Sequence, residues 1–95
     1  LELNILEEKG NMLKIEIRRE GHTLGGLLQH ELLNDEYVEY AGYDVPHPLV
    51  DSMILYIRTV GRKTPRRALK EALQRLKSKL TQFAETFEKA EAAIG

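Results

Sequence analysis

Thr64-Pro65-Arg66-Arg67-Ala68-Leu69-Lys70-Glu71-Ala72-Leu73-Gln74-Arg75-Leu76-Lys77-Ser78-Lys79-Leu80 opens a stretch that runs on through Phe83, Phe87 and Ile94 to Gly95. Leu69, Leu76, Phe83 and Ala90 recur every seventh residue, and Leu73, Leu80, Phe87 and Ile94 recur beside them. Steps alternating between four and three are the spacing of a helix seam that faces another helix. Thr64 suits the N-cap, and Pro65 suits the first helical position, where a missing N–H costs nothing. A helix over Pro65–Ile94 would be about 45 Å long at ~1.5 Å per residue. A domain of this chain length has a radius of gyration of about 12 Å. The predicted helix therefore overshoots its own domain. Leu69, Leu73 and Leu76 are expected to cover the chain's own sheet. Phe83, Phe87 and Ile94 ride on the overshoot. Burying each is worth ~1.5–3 kcal/mol, so a second chain is expected to cover them. Fraying of the last turns is the plainer alternative.

The totals bound the rest. The 95 residues suit a single domain, residues 1–95, with one modest core. Charged residues at 31% and hydrophobic ones at 42% mark a globular chain. Apolar runs stay far short of the ~20 residues of a membrane span, and the opening does not read as a signal peptide. With Leu1 first, an initiator Met is expected to have been removed. There is no Cys, which excludes disulfides and thiolate metal sites and favours a cytoplasmic location. A net charge of −1 gives no global pull toward nucleic acid or acidic lipid.

Working outward, residues 1–6 place Leu1, Leu3 and Ile5 on one face, the period of a half-buried strand. Glu8-Lys9-Gly10-Asn11 reads as a turn, and residues 12–19 alternate again with Leu13, Ile15 and Ile17 inward. The pair predicts an antiparallel hairpin. Thr23 is placed to cap a helix over residues 24–34 with Leu24, Leu27, Leu28, Leu32 and Leu33 on its apolar face. Gly25 and Gly26 fall in its first turn. They imply either a close-packed neighbouring backbone or a weak helix start. Residues 38–44 form a strand with Val38 and Tyr40 on one face and a bulge at Gly42. Val45-Pro46-His47-Pro48 is extended, and residues 53–59 form a strong strand. The order β-β-α-β-β-α predicts an α+β two-layer sandwich, an antiparallel sheet with both helices on one face.

Chemistry is sparse. His22, His30 and His47 show no metal-ligand spacing, and no carboxylate pair, serine context or glycine-rich loop makes a reaction centre. No catalytic residue, metal or cofactor site is expected, nor a small-molecule ligand. Residues 58–79 hold nine bases (Arg58, Arg62, Lys63, Arg66, Arg67, Lys70, Arg75, Lys77, Lys79) against Glu71. A nucleic-acid-binding stripe is the alternative function, but the bases interleave with leucines rather than with aromatics that stack on bases. A solvated flank, or one meeting an acidic partner, is the preferred reading. A small enzyme or effector-binding homodimer of similar topology would need a polar cluster that the sequence lacks.

One further set of residues carries a resemblance. His22-Thr23-Leu24-Gly25, Glu31-Leu32-Leu33-Asn34-Asp35, Val38, Tyr40-Ala41-Gly42-Tyr43 and His47-Pro48 resemble the smaller alpha-like subunits of archaeal and eukaryotic RNA polymerases, called subunit L in archaea. Thr64-Pro65 and Ala68-Leu69 match the start of that family's long terminal helix. Gly26 and Gln29 stand where the family commonly has Asn and Arg. The resemblance implies a non-catalytic assembly subunit of a DNA-directed RNA polymerase. It would heterodimerise with a larger alpha-like subunit, D in archaea, as a platform for the large catalytic subunits. Active-site magnesium and the DNA path would belong to other chains. The implied partner interface is Leu24, Leu27, Leu28, Leu32, Leu73, Leu76, Leu80, Phe83 and Phe87.

Overall fold

The computed structural model describes residues 2–19, 21–47 and 49–94, so Leu1, Pro48 and Gly95, which figured in the sequence reading, lie outside the described residues. Its elements are β1 (Glu2–Lys9), β2 (Met12–Arg18), α1 (Gly21–Leu33), β3 (Val38–Asp44), β4 (Ser52–Thr59) and α2 (Pro65–Ile94). The four strands form one antiparallel sheet in the order β1-β2-β4-β3. The helices pack on the β2–β4–β3 part of one face. The α+β sandwich expected from the element order is the observed fold.

Side-chain alternation decides which face each strand buries. Leu13, Ile15 and Ile17 of β2 pair with Ile57, Leu55 and Met53 of β4, and all six are buried under the helices. Tyr40 and Tyr56 lie on the other face, where Lys14 stands 5.5 Å over the Tyr56 ring. The first turn is tight because Gly10 takes φ +58. The irregularity in β3 falls between Val38 and Tyr40, not at Gly42, which pairs in register with Tyr56. Val38 and Tyr40 therefore point to opposite faces, and Ala41 turns into the core. Gly42 lies beneath the Tyr40 ring, where a Cβ would sit 2.4 Å from the Tyr40 hydroxyl.

The first helix begins at Gly21, ahead of the expected Thr23 cap. Arg19 takes a left-handed φ of 61, and its N–H donates to Asp51 O at 2.8 Å, which reverses the chain early. The glycine pair thus falls in the second turn. The two glycines differ in purpose. A Cβ on Gly25 would meet the Met53 methyl at 2.2 Å, so a side chain of the sheet, not a backbone, presses against the helix. Gly26 has nothing within 4 Å.

The second helix starts as expected. Thr64 Oγ1 accepts from Arg67 N at 3.2 Å, and Pro65 occupies the first position. Its inward row corrects the heptad reading. Pro65, Ala68, Ala72 and Leu76 are buried, whereas Leu69 is half-buried and Leu73 exposed. Small residues let the helix lie close to the sheet and to α1; leucine at those sites would hold it away. From Lys77 onward every described residue of α2 is exposed. The radius of gyration of 15.6 Å and extents of 52 × 36 × 16 Å record the overshoot.

Swapping the roles of the two rows tests this. Ala72→Leu adds apolar area yet is expected to lower unfolding stability by about 1–3 kcal/mol through overpacking. Leu73→Ala is expected to cost less than about 1 kcal/mol, because its side chain is already exposed. Urea unfolding of both variants checks the order.

Candidate partner-binding surface

Beyond Leu76, α2 carries its apolar seam into open water. Leu80 is 58% exposed, Phe83 71%, Phe87 57% and Ile94 90%. A second bare area lies at the other edge of the helical layer. Leu3 and Ile5 of β1 point to the helix face, opposite Ile17 and Ile15, but neither helix reaches over them. Leu3 stays 61% exposed. Leu3, Leu24, Leu69 and Leu73 line an apolar cleft whose floor is Ile15, Ile17, Leu28 and Leu55. Cleft and overhang lie along one helix and present far more apolar surface than scattered single side chains do.

The expected interface residues therefore divide. Leu27, Leu73, Leu80, Phe83 and Phe87 are exposed, and Leu24 is partly so. Leu28, Leu32 and Leu76 instead belong to the chain's own core, because α1 and α2 bury them against each other and the sheet. Sequence reasoning missed the contribution of Leu3 and Ile5. Their alternation was visible, but nothing local announced that both helices stop short of the edge strand.

Charge pairs set the direction in which α2 leaves the domain. Glu31 of α1 is 2% exposed. Its carboxylate accepts from Lys79, and its backbone oxygen accepts from Arg75 Nη2 at 2.9 Å. The Lys79 hydrogen bond holds Glu31 below the usual carboxylate range. Burial opposes this, and the Lys79 and Arg75 charges reinforce it. A second knot joins the loops before and after the helices. Lys63 bridges Asp35 and Glu71, and Arg67 also donates to Glu71. Burial pushes Asp35 up, but the hydrogen bonds from Lys63 and the Tyr37 N–H, with the Lys63 and Arg75 charges, carry it below its ordinary value. At the start of α2, Arg66 grips Glu8 with two hydrogen bonds. The register break between Ile5 and Glu7 is what turns Glu8 toward the helix.

These pairs use up much of the basic stripe. Lys63, Arg66, Arg67, Arg75 and Lys79 are engaged with acids of the same chain. Arg58, Arg62, Lys70 and Lys77 remain without an acidic partner among the described residues. They are scattered over an inner strand, a loop and one flank of α2, which is not a continuous track for a phosphate backbone. Among the described residues no cluster of His, Asp or Glu is arranged to hold a metal ion, and no helix is long and apolar enough to cross a membrane.

A layered sheet with a projecting, apolar-seamed helix matches known proteins closely. The family described as the RNA polymerase Rpb3/Rpb11 dimerisation domain matches residues 12–86. The chain belongs to that family. It is 42% identical over 90 residues to DNA-directed RNA polymerase subunit Rpo11 of Methanosarcina acetivorans, covering 95% of this chain and 97% of the relative. It is 38% identical over 87 residues to subunit Rpo11 of Korarchaeum cryptofilum, covering 92% and 89%. Among solved structures, subunit L of the DNA-directed RNA polymerase from Thermoplasma acidophilum superposes with a TM-score of 0.82 at 27% identity, covering 93% of this chain and 86% of that one.

Several residues that signal the Rpb3/Rpb11 family in the sequence are joints in the structure. Gly25 admits Met53, Glu31 and Asp35 hold the charge pairs, Ala41 and Ala68 fill the core, and Thr64 caps α2. Gln29 donates to Ala41 O at 3.1 Å and so ties α1 to β3.

The Glu31 pin has a pH signature. Its folded-state pKa is lowered from 4.5, so the stability it contributes is fully present above that value and is lost as pH falls through the lower folded value. Glu31→Gln is expected to cost about 1–2 kcal/mol at pH 7, at the lower end for a charged hydrogen bond because Lys79 stays in contact with water. The difference from the parent chain should shrink on acidification below pH 4.5. Urea titrations at several pH values measure it.

Proposed function

We propose that this chain is the smaller, non-catalytic member of an alpha-like pair in a DNA-directed RNA polymerase, one domain over residues 1–95 acting in the cytoplasm. Its partner is the larger alpha-like subunit, D in archaea, and the pair is the platform on which the large catalytic subunits assemble. Leu24, Leu27, Leu73, Leu80, Phe83 and Phe87 form the contact, with Leu28, Leu32 and Leu76 as the packed layer behind them.

The observation that carries this reading is the bare seam of α2. An apolar stripe on an ordered helix, joined to an apolar cleft over β1, has the composition of an obligate interface. Family membership supplies the kind of partner: the matching domain is described by its dimerisation, and the relatives are polymerase subunits.

Co-expression with the larger subunit tests the assignment. Phe83→Asp is expected to abolish co-purification, since it places a charge in the centre of the contact. Because Phe83 lies outside the chain's own core, the circular dichroism of the isolated variant should match that of the parent, showing that the protomer still folds. Pairing that survives the substitution would place the interface elsewhere.

A further inference from the structure

Leu69, Leu73, Leu76, Leu80, Phe83 and Phe87 are separated by steps of 4, 3, 4, 3 and 4, a series that reads the same in both directions about position 78. A helix seam with this symmetry is complementary to itself when turned end for end. Two copies of α2 laid antiparallel across a two-fold axis near Ser78 bring Phe87 of each to Leu69 of the other, and Phe83 to Leu73. These contacts start from accessible surface: Phe83, Phe87 and Leu73 are exposed, and the half-buried Leu69 lines the cleft beside β1 together with Leu73.

Charge follows the same symmetry. The part of α2 over residues 66–79 carries six bases against Glu71, and the part over residues 85–94 carries Glu85, Glu88 and Glu91 against Lys89. Turning one helix end for end sets the acidic half against the basic half. Lys70 and Glu88 lie on one flank of the seam, neither has a charged partner within its own chain among the described residues, and the antiparallel register brings them together twice per dimer.

We infer that the chain, when the larger alpha-like subunit is absent, pairs with a second copy of itself through antiparallel α2 helices. The contact is isologous, as a two-fold interface must be. It rests on the reading that this surface is the one the larger subunit covers, so the two partners compete for it. The homodimer is thus a holding state that keeps Phe83 and Phe87 out of water until the larger subunit displaces one copy.

The test uses the purified full chain. Sedimentation equilibrium is expected to give twice the 10.9 kDa chain mass, falling to the monomer on dilution. A Leu73→Cys, Phe83→Cys double variant, in a chain with no native cysteine, is expected to be captured as a covalent dimer by a short thiol-specific cross-linker. The Leu73→Cys single variant should not be, because its two copies lie about 15 Å apart along the antiparallel helices. Lys70→Glu is expected to weaken the dimer by about threefold or more, and Lys70→Glu with Glu88→Lys to restore it. Added larger subunit should convert the homodimer to a one-to-one complex. A chain that stays monomeric at high concentration, or cross-links equally as the single variant, overturns the inference while leaving the proposed function intact. A homodimer that forms as described but ignores the larger subunit overturns the proposed function instead.

Discussion

The long helix is built on two incompatible requirements. Residues 65–76 of α2 supply an inward row of small side chains, Pro65, Ala68 and Ala72, that lets the helix settle onto a four-stranded sheet. The same helix continues without a break to Ile94, past any surface the domain can offer it. A core of this size has room for about three turns of helix, and the chain supplies more than eight at ~3.6 residues per turn. Other features follow from this imbalance. The helix must be anchored at its base, and its free part is left in water.

The anchoring is electrostatic as well as apolar. Glu31 on α1, Asp35 in the connection after it and Glu8 on β1 each hold a base of α2 or of the loop before it. Isolated surface pairs contribute little to stability. Their value here is directional: three contacts spread from the loop before α2 to Lys79 fix its angle, which a smooth row of alanines alone would leave free to slide. A rod aimed by its base presents Phe83 and Phe87 in one place, so a partner meets a formed surface and the ordering cost of association falls.

Element order, the hairpin, the cap at Thr64 and the overhang were all legible before the fold was known, because each is written in local spacing. The resemblance carried by His22 to Gly25, Glu31 to Asp35 and Thr64 to Leu69 added the family. What the sequence concealed were properties of pairs. The heptad pattern singled out Leu69 and Leu73 because they are large, yet the close approach of two packed layers is made by the small side chains at 68 and 72. The break in β3 was expected at Gly42 because glycine often marks one; instead Gly42 makes room for the Tyr40 ring, and the extra residue sits beside Val38. Lys79 read as one more member of a basic stripe, since its acidic mate is 48 positions away.

The kink in β1 bears on how such a molecule avoids clumping. An edge strand with Leu3, Ile5 and Leu6 in water invites other chains to extend the sheet hydrogen bond by hydrogen bond. The misstep after Ile5 interrupts the regular ladder that an incoming strand would need, and Glu7, Glu8 and Lys9 follow at once with charge. Open-ended stacking is thereby discouraged along the one border where it would have been easiest. Bare apolar surface is left instead on the helical side, along the seam of α2 and in the cleft beside β1.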